Sequence, residues 1–435
     1  MKVCRTAVVS AAAAAMIVAT ASTAATSSVI AAPASADQAV MLVANGNSDS
    51  SSGGGTNSND STSKNNKNSA KGAGSSNKNV DSSKNDNDAS SSGGGTAKNE
   101  NTKSDSNDNG AKGTNGGKAT NTNNGGFLFG GRGQKNKNTA EADGANSQST
   151  NTIKGSNNDS NAKSTGGGKA TNTVTGDNNG SLHAEANGTN TVGKNTIVGN
   201  NNNTDSKANG TNSSATADVT GNNNDVDTRA NNGGTAFGQV NGLPGPNTPG
   251  NGNKANVTAD GNSSQAKIFA VGNGNRADAS AVGSNTHAES AAVGTNNTAI
   301  STATGASSKA DTRAEGIADN STASAKDGGT ARAEIIGGST HDSKASSIAE
   351  GAGSTAKSTV NASNAKAETE AYDGGKATAT ANRPGSYAYA KAIGTGATAT
   401  ATTDAANPGA DTAVATCSGG SHAVAYTSSG KFSFC

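Results

Sequence analysis

The sequence predicts an all-β protein: a thin β-solenoid built from rungs of about eleven residues, preceded by a disordered polar segment. Three observations carry this reading. "AVG" recurs at Ala270, Ala281 and Ala292, eleven residues apart each time. Large apolar side chains are scarce, since the 435 residues hold no Trp, 4 Tyr, 6 Phe and 3 Met against 59 Gly. Small apolar residues alternate with polar ones over long stretches, which is the periodicity of a strand. Burial stabilises by about 25 cal/mol per Å² of apolar surface, so a conventional core would need the side chains this chain lacks. A formal net charge of +1 supplies no field to steer the chain to nucleic acid or an acidic membrane. The options left are polar disorder or a repeat fold that needs little core per residue.

The elements follow in chain order. Residues 1–36 have the pattern of a secretory signal peptide. Lys2 and Arg5 form a basic start, residues 7–18 are mildly apolar, and Ala34-Ser35-Ala36 is a small-x-small cleavage site. Cleavage there makes Asp37 the first mature residue, and cleavage after Ala34 is the alternative. The apolar stretch is too short and too rich in small polar residues for a membrane span, and no later stretch can span. Residues 37–126 read as a low-complexity polar spacer. Between residues 45 and 126 the only Val, Leu, Ile or aromatic residue is Val80, too little to offset chain entropy of roughly 1–2 kcal/mol per residue.

Residues 127–230 read as a first, less regular solenoid block, opened by Phe127 and Phe129, which could cap it or self-associate. Glycine recurs in phase from Gly133 to Gly221 with one substitution, Asp177. Residues 231–249 hold Pro244, Pro246 and Pro249 and read as a Gly/Pro linker, since proline cannot donate to a ladder. The phase restarts in the main block, residues 250–405, at Gly250, Gly261, Gly272, Gly283, Gly294, Gly305 and Gly316. Such phasing marks a repeat architecture, with these glycines as its corners. With glycine as position zero, positions five, seven and nine carry Ala255-Val257-Ala259, Ala266-Ile268-Ala270 and their successors. Residues two apart share one face of a strand, so these side chains point inward. Gly and Asn at positions zero to three tolerate the positive φ of tight corners. An eleven-residue helical repeat would space its apolar residues three and four apart, not two. About twenty-five rungs at 4.8 Å each would give a rod on the order of 120 Å.

Residues 406–435 read as a C-terminal cap: two strands with Ser428-Ser429-Gly430 as the turn, closed by Cys417 and Cys435. These are the two cysteines left after signal cleavage, and an even count in an exported chain favours a disulfide. It would stabilise the tail by roughly 3 kcal/mol in the chain-entropy model.

No catalytic, cofactor or metal site is expected. His183, His287, His341 and His422 lack ligand spacing. "GNGNRA" at Gly272 lacks the strand–helix context of a dinucleotide fingerprint, and no nucleophile elbow occurs. Position six varies from Asn256 to Asp311, unlike a calcium β-roll. "AVGNGNRADASAVGSNTHAESAAVG" resembles the head repeats of YadA-like trimeric autotransporter adhesins. The likeness spans residues 250–327 and implies a stacked β-solenoid with an adhesive role. The period here is eleven, shorter than the head repeat, and neither a coiled-coil stalk nor a membrane barrel follows. The expected function is thus a non-enzymatic structural or adhesive repeat protein, secreted or held at the cell envelope. Its partners would be a surface or matrix ligand, or other copies of itself. "KATNTN", "KATATA" and "GATATATT" suggest an ice- or crystal-binding solenoid as the alternative. A secreted hydrolase ranks last.

Overall fold

A computed structural model describes strand segments between residues 6 and 144, then residues 147–240, 250–335, 341–403, 412–420 and 422–427, and the strand Ser433–Phe434. All described elements are strands. The chain forms two compact units, Met1–Asn212 and Ser213–Cys435. Each is a parallel β-solenoid in which successive strands alternate between two sheets, here sheet I and sheet II. In the second unit, sheet II stacks Lys254–Asp260, Arg276–Val282 and Thr298–Thr304. Sheet I stacks Gln265–Lys267, His287–Glu289 and Lys309–Arg313.

Hydrogen-bonded neighbours thus lie about 22 residues apart, as Ala277 lies against Ala255 and Ala299. The eleven-residue unit is half a rung, which corrects the expected rung size and halves the expected axial rise per residue. Chain geometry requires this. The 7 residues of Arg276–Val282 carry the chain about 20 Å. The corner that follows advances at most about 3.6 Å per residue and cannot return it to its start. A second strand makes the return.

The expected inward positions are buried in both sheets. Ala255, Val257, Ala259, Ala266, Ile268, Ala270, Ala288, Ser290 and Ala292 are all at most 1% exposed. The polar inward set of the first unit is buried too, including Ser149, Asn151, Ile153, Thr204, Ser206 and Ala208. Two facing strands leave room for little beyond Ala and Ser, and larger side chains such as Ile153, Leu182 and Ile268 are interspersed.

Corners explain the Gly/Asn content. Position two is left-handed in every rung of the regular stretch: Gly252 (φ 65°), Ser263 (58°), Gly274 (63°), Asn285 (56°), Asn296 (55°), Ser307 (58°) and Ala318 (57°). Ala318 is an exposed misfit, because an L-residue pays about 1 kcal/mol or more there and alanine, unlike serine, has no side-chain polar group to bond the local backbone. Ala318→Asn is expected to raise stability by about 0.5–1 kcal/mol, read as a higher thermal midpoint.

Five of the seven predicted corner glycines fall into two groups. Gly261, Gly283 and Gly305 have φ of 122°, 123° and 88°. Gly272 and Gly294 are required instead by close approach: a Cβ on them would stand 2.0 and 1.9 Å from the carbonyl oxygens of Gly294 and Gly316. Gly250 opens a short strand, Gly250–Asn251. Gly316 accepts a hydrogen bond from Asn297 Nδ2 at 2.8 Å.

Position three, which the strand pattern does not assign, is buried as well and alternates between corners. Asn253, Asn275, Asn297 and Asp319 line one corner, and Ser264, Thr286 and Ser308 the other. At the first corner each Oδ1 accepts the backbone N–H of its successor one rung on, at 2.9 to 3.0 Å. Asn253 and Asn275 Nδ2 donate to the carbonyls of Gly272 and Gly294. The ladder satisfies backbone groups that the bend removes from the sheets. The first unit repeats it at Asn158, Asn179 and Asn202.

Other differences concern boundaries. The strand Thr235–Val240, with Ala236 and Val240 inward, lies in the expected linker, whose proline-rich part falls outside the described residues. Phe237 lies outside the core and packs edge-on to Phe269, centroids 6.5 Å apart. Strands also occupy part of the expected spacer: Thr96–Thr102 pairs Lys118–Asn124, with Ala97 and Ala119 buried. Ala at the inward positions allows the half-rung to form without larger side chains. In the segment expected as an export signal, Thr6–Ala11 and Ala15–Thr20 pair antiparallel.

The tail is not a hairpin. His422–Thr427 joins sheet I beside Thr398–Thr403, and Ser433–Phe434 joins sheet II beside Thr412–Thr416. Parallel pairing with the preceding rung offers both strands a formed ladder, so the tail continues the solenoid. Cys417 is buried and its N–H donates to Lys391 O at 3.0 Å. Its expected partner Cys435 lies outside the described residues, as do Phe127 and Phe129.

Candidate functional site

With the interior filled by small side chains, the chemistry lies on the outward faces. There, residues at one strand position stack into columns, one residue per rung, roughly 4.8 Å apart. Three such places stand out.

The first is a threonine grid on sheet I of the first unit. Lys118–Asn124, Gln148–Lys154, Lys169–Thr175 and Val192–Val198 lie in register. Thr120, Thr150 and Thr171 form one column; Thr122, Thr152, Thr173 and Thr196 form the next. Lys194 closes the first column. Threonine is stiff at χ1, so each column sets its side chains at a fixed repeat, although the Thr196 hydroxyl oxygen is buried. Behind the grid, Asn151, Asn172 and Asn195 are buried. Asn172 Nδ2 donates to Leu182 O at 2.8 Å, in the opposite sheet, and Asn195 Nδ2 to Asn172 Oδ1 at 3.0 Å. These bonds brace the face from within. The second unit repeats the motif, with Thr378 beside Thr400, and Thr359 beside Thr380 and Thr402.

The second is a tyrosine patch on sheet II of the second unit. Tyr387 and Tyr389 stack on Lys366 and Glu368 of the preceding rung. Lys366 Nζ stands 5.2 Å from the Tyr387 ring, and Lys391 Nζ 5.5 Å from the Tyr372 ring. Burial, then the carboxylate of Glu370, pushes the Tyr389 hydroxyl up to about 12.

The third surrounds His287 on sheet I. Its Nε2 lies 3.3 Å from Glu289 Oε2 and 3.5 Å from Asp311 Oδ1. Glu289 shares its strand, and Asp311 is the register partner of Glu289 one rung on. Lys267 stands 3.8 Å from Glu289, and Lys309 3.3 Å from Asp311. Burial opposes ionisation of Asp311, but hydrogen bonding to His287 and the Lys309 ammonium outweigh it and hold the carboxyl below its ordinary range.

The other histidines stay apart from this cluster. His183 lies 3.9 Å from Asp205, and His341 bridges to Ile317 at a corner. The eleven-residue frame hid the third cluster, because it stacks Glu289 on Ile300. A spacing of 22 from Glu289 to Asp311, with His287 two residues before Glu289, is the signal that finds it. The same frame hid the threonine columns. Among the described residues no helix is long and apolar enough to cross a membrane. No protein-family model, curated protein or solved structure matches the chain.

Proposed function

We propose that the chain is an exported, non-enzymatic structural or adhesive repeat protein of the cell surface or extracellular space. The observation that carries this reading is the column architecture. Side chains two residues apart on a strand and register partners on successive rungs form a surface lattice, while the interior is spent on Ala, Ser and Asn. Such a lattice suits repeated contacts with an extended or repetitive partner. The signal-like residues 1–36, the resemblance to adhesin head repeats and the Cys417–Cys435 pair support the extracellular part. Fractionation of the source cells, with sequencing of the mature N-terminus, tests it. A chain beginning at Asp37 in the envelope or medium is expected; an unprocessed cytosolic chain overturns the reading.

The threonine columns favour a second reading, a face that binds ice or another crystalline lattice. Lattice binding needs groups at two regular spacings on a stiff support, and the grid offers about 4.8 Å between rungs and about 6.6 Å along a strand. Under this reading Thr152→Tyr/Thr173→Tyr is expected to remove at least four-fifths of the thermal hysteresis with an unchanged circular dichroism spectrum. A wild-type chain without thermal hysteresis retires it.

A further inference from the structure

We propose that His287, Glu289 and Asp311 form a binding site for a zinc-class divalent cation on the outward face of sheet I. The three ligand atoms lie within 4.8 Å of one another. Nε2 stands 3.3 and 3.5 Å from its two carboxylates, and one ring nitrogen thus faces two anionic oxygens at once. A single Nε2–H facing both oxygens can only be shared between them. A metal ion on the Nε2 lone pair can bind both at once. Tetrahedral zinc with bonds of about 2.0–2.1 Å has ligand-to-ligand edges of about 3.3–3.4 Å, which the two separations match.

The fold accounts for the arrangement. His287 and Glu289 point the same way because they are two apart on one strand, and parallel register puts Asp311 beside Glu289. Two carboxylates adjacent in one column repel each other, and a divalent ion between them converts that repulsion into binding. One imidazole with two carboxylates suits zinc better than calcium, which takes more oxygen ligands. Three protein ligands leave the fourth position to water or to a group from a partner. Lys267 and Lys309, with side chains 42% and 52% exposed, neutralise the carboxylates in the metal-free chain and swing into solvent when the ion enters.

The test is zinc titration of the full-length chain by isothermal calorimetry, with the imidazole signals followed by NMR. One saturable equivalent that shifts the His287 ring is expected. His287→Ala should weaken zinc binding at least tenfold while its circular dichroism spectrum stays that of wild type. Lys267→Gln/Lys309→Gln should tighten it severalfold, because competing ammonium groups are gone; an ion-pair cluster with no metal function would show no such gain. The proposal is overturned if zinc leaves the His287 ring unshifted, or if wild type and His287→Ala bind it equally.

Discussion

Gly294→Ala is expected to cost more than about 3 kcal/mol, because its clash is with backbone. The added Cβ would meet the carbonyl oxygens of Gly316 at 1.9 Å and Glu315 at 2.7 Å. No side chain can move aside, so adjacent rungs must separate. That strains the bonds from Gly272 N to Val293 O (2.8 Å) and from Thr295 N to Gly316 O (3.3 Å). Gly180→Ala is the control. Gly180 has nothing within 4 Å of the added carbon and no left-handed φ, so it should be neutral or stabilising by up to about 1 kcal/mol. Paired urea unfolding curves separate the two. Equal midpoints would mean that the rungs do not stack as closely as described.

Asn297→Ala is the second large effect, at about 2–4 kcal/mol. Asn297 is fully buried. It receives the N–H of Asp319 at 2.9 Å, donates Nδ2 to Gly316 O at 2.8 Å, and gives its own N–H to Asn275 Oδ1 at 3.0 Å. Alanine keeps only the last of these bonds and leaves a buried N–H without its acceptor. Because each rung of a solenoid contacts only its neighbours, the damage should be local. Hydrogen exchange should quicken around residues 275–319 and stay near wild type around residues 376–402. Uniform acceleration across the second unit would contradict a nearest-neighbour ladder.

Much of this architecture is legible in the sequence. Positions five, seven and nine are inward because a strand alternates, and Ala, Val, Ile and Ser are what fit between two facing strands. The left-handed corners are legible because Gly, Asn and Ser cluster at positions zero to two. The rung length was hidden because both sheets demand the same inward pattern, so their half-rungs look alike. The distinction lies at position three, where Asn253, Asn275 and Asn297 alternate with Ser264, Thr286 and Ser308. One corner needs a side-chain oxygen that accepts a backbone N–H across rungs, as Asn and Asp319 supply; at the other a hydroxyl suffices. Reading that alternation gives 22, and with 22 the His287 cluster and the Thr378–Thr400 and Thr380–Thr402 pairs follow; the first-unit threonine columns, at spacings of 30, 21 and 23, do not. The tail strands could not be read as parallel from residues 423–435 alone, since alternation does not specify the pairing partner.

The central claim is that residues 22 apart, not eleven apart, are neighbours. Paired cysteines test it directly. Thr378 and Thr400 are register partners, and adjacent parallel strands lie about 4.8 Å apart, within the Cα range of a disulfide. Thr378 and Tyr389, eleven residues apart, belong to opposite sheets and face outward from both. After mild oxidation and peptide mapping, Thr378→Cys/Thr400→Cys should show an intramolecular 378–400 cross-link and Thr378→Cys/Tyr389→Cys none. A 378–389 cross-link, with none between 378 and 400, would contradict the two-strand rung.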